Sequence, residues 1–336
     1  MPEDMFDLTN KSILVTGGSG SFGRAFIKHL LVRSAVRRIV IYSRDEHKQN
    51  ELAQSLDNSA AKLRFFIGDI RDVNRLSVAM RGVDYVVHAA ALKHVTIAEY
   101  NPMECIHTNV MGAENVVSAA LRNNVRRVIS LSTDKAVNPI NLYGASKLAS
   151  DKIMISSNSL AGDIGTRFSV VRYGNVLASR GSVVPFFRKL VAEGAVSLPI
   201  TDPQMTRFWI TLPQAVNFVL SCFEMMRGGE IFVPKISSTS IIDLAKALAP
   251  DMPTKIIGVR PGEKLHEALL TQDDSRHSVE LDDRYVVEPE FVFWERDRLP
   301  YENARPVAKD FQYDSFNNTQ RLSIEDLRLL LESAGS

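Results

Sequence analysis

Six short apolar runs punctuate the first half of the chain: SILVT, RIVIYS, LRFFIG, YVVHAA, RVISLS and FSVVRY. Each is rich in β-branched or aromatic residues and apolar on both faces, which predicts strands buried on both sides rather than half-exposed ones. The stretches between them, such as GRAFIKHLLV and MGAENVVSAALRNN, repeat their apolar positions at the spacing of amphipathic helices. Strand and helix in alternation predict a parallel sheet covered by helices and joined by right-handed crossovers. The fold class read from the chain is therefore α/β, with a doubly wound parallel sheet over residues 1–175.

Past Asn175 the alternation loosens. VVPFFRKLVAEG, LPQAVNFVLSCFEMM and IIDLAKALA read as helices, separated by single short strands such as IFVP. They predict a smaller mixed α/β domain over 176–336, with an approximate boundary that the chain is free to cross again. Near the end, Ser323 with Asp326 three residues later marks the start of a closing helix with a leucine face.

Composition narrows the possible partners. With 336 residues, 45% of them hydrophobic, the chain can bury a substantial core. Forty basic residues against thirty-nine acidic ones give a net charge of +1, so no long-range field gathers nucleic acid or an anionic membrane. Any anion must be held by local groups. No run approaches the roughly 18 apolar residues of a membrane span. The opening MPEDMFDLTNKS lacks the pattern of a signal peptide, and the expectation is a cytoplasmic protein. Cys105 and Cys222 have neither disulfide nor metal-site spacing and read as buried bystanders, with no metal expected.

The stretch ILVTGGSGSFGRAF follows the first strand and opens the first helix. Gly17, Gly20 and Gly23, with Ser19, Ser21 and Phe22 between them, predict a tight turn that brings a helix N-terminus against a dinucleotide pyrophosphate. The second strand ends IYSRDEHKQ. An acid at such a point suits the ribose 2′-hydroxyl of NAD, whereas a hydroxyl and cations suit a 2′-phosphate. Ser43 and Arg44 come first and Lys48 follows one turn later, which favours NADP over NAD; the alternative is an exposed turn with Asp45 capping a helix. In FIGDIRD, Asp69 beside Ile70 either touches the adenine or caps the next helix. HAAALKHV supplies small residues, Ala89, Ala90 and Ala91, where the backbone passes the cofactor, and Lys93 within reach of a ribose or phosphate.

Tyr143 and Lys147 fall at i and i+4 on a predicted helix, hence on one face. A phenol with an ordinary pKa of about 10 is a poor base at neutral pH, and an adjacent ammonium favours its phenolate. Thr133, Asp134 and Lys135 close the fifth strand at the carboxyl edge, where open α/β sheets hold their ligands. A hydroxyl there suffices for simple dehydrogenation, so the added acid and amine point to a second proton transfer. The alternative is a surface ion pair at a strand end. For Lys135 to act as a base its proton must be loosely held; burial or another cation favours that and Asp134 opposes it, a balance the residues leave open.

TGGSGSFG, HAAA and YGASK together resemble the short-chain dehydrogenase/reductase superfamily, in its extended class. Retaining sugar 4,6-dehydratases carry Thr-Asp-Glu where this chain has Thr-Asp-Lys. With AAALKHV, AEYNP, NPINLYGASK, RYGNVLASRGSVVPFF, ITDPQMTRFWIT and RPGEKLHE, spread over residues 10–270, the chain resembles the inverting UDP-N-acetylglucosamine 4,6-dehydratases of pseudaminic acid synthesis. That resemblance implies an NADP-binding Rossmann domain, a nucleotide-sugar domain and a hydro-lyase that inverts carbon 5. The product would be UDP-2-acetamido-2,6-dideoxy-beta-L-arabino-hex-4-ulose, and the enzyme a homo-oligomer, dimer or hexamer.

It further implies that Tyr143 is the base for oxidation at carbon 4, with Lys147 on the nicotinamide ribose and Thr133 on the carbon 4 oxygen. Asp134 would be the acid for water loss and Lys135 the base at carbon 5. The nucleotide sugar would be met by Lys93, Asn175, Val183, Arg207, Arg260 and Glu263, with Arg180 a further candidate; a diphosphate calls for arginines and backbone donors. The readings kept beside this one are a related UDP-sugar epimerase or dehydratase and a non-catalytic NADP-binding scaffold. After residue 270 the chain offers no usable motif.

Overall fold

The computed structural model describes residues 7–56, 61–162, 165–179, 181–296 and 301–333. The six apolar runs form β1 (Ser12–Thr16), β2 (Arg38–Ser43), β3 (Leu63–Ile67), β4 (Tyr85–His88), β5 (Arg127–Thr133) and β6 (Arg167–Tyr173). Between them lie α1 (Ser21–Arg33), α2 (Glu46–Gln54), α3 (Val73–Ala79), the short α4 (Val95–Tyr100) and α5 (Pro102–Ile106), α6 (Gly112–Arg122) and α7 (Leu142–Ser156). The strands pair in parallel in the order β3-β2-β1-β4-β5-β6. Strand order reverses between β1 and β4, which opens the crevice at the carboxyl edge where such sheets take ligands. Helices α3, α6 and α7 form one packed row.

The rest of the chain adds β7 (Asn175–Val176), α8 (Val183–Ala192), β8 (Leu198–Ile200), β9 (Thr206–Ile210), α9 (Leu212–Met225), β10 (Ile231–Pro234), β11 (Ser238–Ser240), α10 (Ile241–Leu248) and β12 (Thr254–Ile256). It ends with β13 (Ala268–Leu270), α11 (Gln272–Ser275), β14 (Ser278–Glu280), β15 (Arg284–Val287), β16 (Arg305–Pro306), β17 (Tyr313–Asp314) and α12 (Ile324–Ser333). Much of this returns to the main sheet. β10 pairs in parallel with β6, and β15, β14 and β16 follow antiparallel, giving ten strands. α9 packs beside α1. A second core of Val184, Phe187, Ile200, Trp209, Leu244 and Leu327 gathers α8, α10 and α12. Ser323 caps α12 as the sequence predicts, its hydroxyl accepting from the Asp326 amide at 3.1 Å while its own amide donates to Asp326 Oδ2 at 3.0 Å.

Two expectations need correction. LRFFIG is not buried on both sides: β3 is the edge of the sheet, and Phe65 and Ile67 stay 36% and 51% exposed because no strand or helix among the described residues covers them. Asp69 does not cap the following helix. Asp72 does so, accepting from the Arg75 amide at 2.9 Å, while Asp69 pairs with Arg71 at 2.8 Å and Arg44 at 3.5 Å.

The junction of β6 with β10 is locked by one buried carboxylate. Glu230 is fully buried and accepts from Ser169 Oγ at 2.6 Å, Arg296 Nη2 at 2.7 Å, Tyr301 Oη at 3.1 Å and the amides of Arg227 and Gly228 at 2.8 and 3.0 Å. Removing it leaves the Arg296 guanidinium without this partner, and a broken buried pair costs about 3–5 kcal/mol. Glu230→Ala should lower the free energy of unfolding by that amount, read as a lower urea midpoint with little change in slope.

Candidate active site

The glycine loop after β1 is shaped by contacts that exclude side chains. Gly17 has φ +65°, and a Cβ there would stand 3.0 Å from the backbone of Ala90. A Cβ on Gly23 would stand 2.5 Å from Gly18, so strand and helix close on each other. Gly20 is the N-cap of α1 and, having no side chain, leaves the first amides of the helix without a side-chain cap, which suits an anion. Ser21 begins the helix and Phe22 stacks on Phe26 with ring centroids 5.6 Å apart. Across the crevice, Thr16 Oγ1 accepts from the amides of Ala89 and Ala90 at 3.1 and 3.2 Å and hydrogen-bonds His88 Nδ1 at 2.8 Å. Burial, with the Lys147 charge adding, holds the His88 imidazole down at about 3, so it stays neutral.

At the end of β2, Ser19 Oγ donates to Ser43 Oγ at 2.9 Å, and Gln49 Nε2 donates to the same hydroxyl at 3.0 Å. Arg44 is exposed; Lys48 sits on α2 and pairs with Asp45, the residue that caps that helix. Ile70 is buried, its carbonyl accepting from Asn115 Nδ2 at 3.0 Å. Ala91 and Lys93 lie exposed on the loop after β4. This donor set fits a dinucleotide: a close-packed glycine turn, a helix start without a side-chain cap, and a hydroxyl near Arg44 and Lys48.

The end of β5 and the start of α7 are pressed together. A Cβ on Gly144 would come 2.1 Å from the Lys135 carbonyl oxygen, so only glycine lets α7 start there. Asn141 caps α7, accepting from the Gly144 amide at 2.8 Å, and Glu99 accepts from the Leu142 amide at 2.6 Å. Thr133, Asp134, Lys135 and Tyr143 thereby meet in one cleft. Thr133 Oγ1 donates to Asp134 Oδ1 at 2.8 Å and is also in hydrogen-bond contact with the Tyr143 hydroxyl. Burial pushes the Tyr143 phenol up to about 12; the Lys135 charge and the Thr133 hydrogen bond work the other way, and the Asp134 and Asp151 carboxylates add to the rise.

Lys147 is buried on the same face of α7. Burial lowers its amine from the ordinary lysine value, against the pull of Asp151. Asp151 accepts from Ser132 Oγ at 2.6 Å and lies 3.9 Å from Arg172, and burial raises its carboxyl despite Lys147 and Arg172.

Asp134 is fully buried, which removes the surface-ion-pair alternative. Its Oδ1 accepts from Lys135 Nζ at 3.0 Å and its Oδ2 has no hydrogen-bond partner. Lys135 Nζ also donates to Asn175 Oδ1 at 3.4 Å and lies 3.4 Å from Glu267 Oε1. Burial alone would lower the Lys135 amine, but Asp134 and then Glu267 outweigh it and Arg207 opposes them only in part, so the amine is raised. The balance that the residues leave open therefore falls on the ammonium side.

The predicted substrate residues are spread around this cleft. Asn175 stands on β7, beside β9, in contact with Lys135. Val183 opens α8. Arg207 on β9 is only 7% exposed and donates to the carbonyls of Thr206, Leu265 and Lys264 at 2.7, 3.1 and 2.9 Å, so it braces the Lys264–Glu267 segment. Arg260 is exposed and lies 4.0 Å from Glu263, whose Oε2 is buried without a hydrogen-bond partner. Asn141 Nδ2 donates to the Gly262 carbonyl at 2.8 Å and Lys264 Nζ to the Val137 carbonyl at 2.6 Å, docking that loop on the start of α7. Arg180 lies outside the described residues.

Sequence reasoning missed Glu267 and Asn109. Asn109, in a π-helical turn at His107–Met111, accepts from the Leu92 amide at 2.8 Å and donates to the Leu92 carbonyl and Ser146 Oγ at 2.9 Å each. It ties the loop carrying Lys93 to α7. A helix-like run containing a lone asparagine gives no signal of this; for Glu267 the only hint was its place in RPGEKLHE. Cys105 and Cys222 are both buried, as read from the chain, and no helix among the described residues is long and apolar enough to cross a membrane.

Residues 13–289 match the family described as polysaccharide biosynthesis protein. A UDP-N-acetylglucosamine 4,6-dehydratase (inverting) of Campylobacter jejuni is 55% identical over 322 residues, covering 94% of this chain and 96% of that protein. A UDP-glucose 4-epimerase of Rickettsia canadensis is 43% identical over 329 residues, covering 96% and 95%. Among solved structures, Pen from Bacillus thuringiensis is 34% identical with a TM-score of 0.89, covering 98% of this chain and 99% of that one.

Proposed function

We propose, for a chain that belongs to the polysaccharide biosynthesis protein family, the inverting 4,6-dehydration of UDP-N-acetylglucosamine. The observation that carries this reading is the pair of buried Asp134 and part-buried Lys135 set against Tyr143 at the end of β5. One cleft thus holds a phenol for oxidation at carbon 4 and a separate acid and amine for a second proton transfer. A plain 4-epimerase has no use for the second set.

A nicotinamide dinucleotide would be held by the Gly17–Gly23 turn, the start of α1 and Lys147, and would supply hydride acceptance at carbon 4 and hydride donation at carbon 6. Tyr143 takes the proton of the carbon 4 hydroxyl, and Thr133 hydrogen-bonds that oxygen. Oxidation at carbon 4 acidifies the carbon 5 hydrogen. In the resting cleft Lys135 is an ammonium beside a carboxylate, so passing its proton to Asp134 makes the base and the acid together. Lys135 then takes the carbon 5 proton while Asp134 gives its proton to the carbon 6 oxygen, which departs as water. Inversion follows when a proton comes back to carbon 5 on the opposite face.

We further propose NADP as the cofactor, supported by Ser43, Arg44 and Lys48 at the end of β2. A charge-assisted hydrogen bond contributes about 1.5–3 kcal/mol, and Arg44 is half-exposed, so Arg44→Ala should weaken NADP binding by about tenfold. Isothermal titration should show NAD affinity unchanged. Asn175, Arg260 and Glu263, at the rim of the cleft, are proposed to hold the UDP moiety with Lys93 and Val183, and Arg207 to act beneath them. Self-association as a homo-oligomer is proposed as well, supported by Ile97, Tyr100 and Met103, exposed on the short helices beside α7.

The test is incubation with UDP-N-acetylglucosamine in heavy water, followed by proton NMR. A 4-keto-6-deoxy sugar with deuterium at carbon 5 and couplings of the inverted ring is the expected result. Retained configuration would remove the role given to Lys135. Absence of a ketosugar from cofactor-loaded protein would move the reading to 4-epimerisation, another nucleotide sugar or a scaffold.

A further inference from the structure

Glu267 is 2% exposed and has no part in the proton transfers above, yet it touches the group that performs one of them. Its Oε1 lies 3.4 Å from Lys135 Nζ and 4.0 Å from Arg207 Nε. Its Oε2, without a hydrogen-bond partner, lies 3.6 Å from Lys264 Nζ. The backbone beneath it is fixed on both sides: the Glu267 amide donates to Ser315 Oγ at 3.0 Å, and its carbonyl accepts from the Ser315 amide at 2.8 Å. Antiparallel pairing of β13 with β17 follows directly. A buried carboxylate is retained only where charges and hydrogen bonds compensate it, and here the compensating charges are two lysines and an arginine. One of those lysines is the proposed carbon 5 base.

We propose that Glu267 is a positioning residue of the water-loss step: held from behind by Arg207 and Lys264, it fixes the Lys135 amine between itself and Asp134 and keeps within the cleft the single proton that Lys135 and Asp134 exchange. The proposal rests on the dehydratase reading above. Its balance is closed. The ammonium gives a proton to the Asp134 carboxylate; the neutral amine takes the carbon 5 proton; Asp134 gives its proton to the carbon 6 oxygen; the C–O bond breaks and water leaves. The pair ends as it began, and Glu267 stays a carboxylate throughout.

The charged and titratable groups facing Lys135 are Asp134 in its own turn, Tyr143 from α7, Arg207 from β9, and Glu267 just before β13; Asn175 from β7 is neutral. Those facing Glu267 are Lys135, Arg207 and Lys264. Asp314 across the β13–β17 pair is satisfied locally by the amides of Phe316 and Asn317. The proton held by the Lys135 ammonium is the one that Asp134 passes to the leaving oxygen. Loss of that proton at alkaline pH leaves Asp134 unable to protonate the leaving oxygen, so elimination falls. A second carboxylate beside the amine moves this loss to higher pH, and removing its charge moves it back, by about 1–3 pH units for an opposite charge this close.

The experiment is the pH profile of kcat/KM for ketosugar formation by the cofactor-loaded enzyme, comparing wild type with E267Q and E267D. The alkaline limb of E267Q should lie at least about one pH unit below that of wild type, with E267D, which keeps the charge at a longer reach, in between. An E267Q limb superimposed on that of wild type, with only a lower plateau, would mean a merely structural residue and overturn the proposal. If E267Q does not fold, the E267D limb decides on the same criterion. A wild type that forms ketosugar with an unmoved variant limb overturns the Glu267 role alone; a wild type that forms none overturns the dehydratase reading and this proposal together.

Discussion

Tyr143→Phe should lower ketosugar formation by about 10²–10⁴-fold, the range set by loss of a positioned general base, while cofactor binding and thermal stability stay close to wild type. The hydroxyl is the only atom removed. Thr133 Oγ1 keeps its bond to Asp134 at 2.8 Å, so no new orphaned group is created around it. The phenol is pushed up to about 12 by burial, and the Lys135 charge with the Thr133 hydrogen bond partly offsets that. Those two groups act on an oxygen that phenylalanine lacks. Stopped-flow absorbance of the bound nicotinamide isolates the first step, and a variant that reduces its cofactor at the wild-type rate would remove Tyr143 from the chemistry.

Lys135→Met should have two separable effects. Elimination should fall by about 10²–10⁴-fold, with cofactor reduction on substrate addition retained but slower, because Tyr143 and Lys147 remain while the Lys135 charge no longer draws the phenol down. Stability should fall by about 3–5 kcal/mol, since Asp134 and Glu267 are both buried and would lose the amine between them. The double variant Lys135→Met with Glu267→Gln should recover part of the stability and none of the elimination. Urea denaturation read beside NMR product analysis checks both. Full recovery of elimination in the double variant would show that the lysine serves only to neutralise Glu267.

Tyr143 and Lys147 were legible because helix geometry alone puts i and i+4 on one face, and Thr133, Asp134 and Lys135 because a strand end in this architecture is a ligand edge. The main sheet was legible for the same reason: six apolar runs with helical spacers admit few topologies. In the second half the helices α8, α9, α10 and α12 and the strand IFVP were legible, but the return of the chain to the main sheet was not. β10, β14, β15 and β16 are two to four residues long, too short for a period, and they join the sheet by pairing that nothing local announces. Glu267 belongs to the same class of failure. In RPGEKLHE it reads as one more solvated charge, and only the pairing of β13 with β17, from a stretch without motifs, turns it towards Lys135. Arg207 shows the converse: MTRF suggests a phosphate clamp, whereas the side chain lies buried against three carbonyls.

The place of β10 beside β6 has a consequence for synthesis on the ribosome. β6 carries Phe168, Val170 and Val171, all fully buried in the finished protein, and its outer edge has no partner until β10 emerges. Ser169 and Glu230, which lock the two together, are 61 residues apart. At about 5–20 residues per second, the nascent sheet waits several seconds with an apolar, unpaired edge. That interval is when chaperones would engage this chain, and when a slow codon run between α7 and β10 would most increase aggregation.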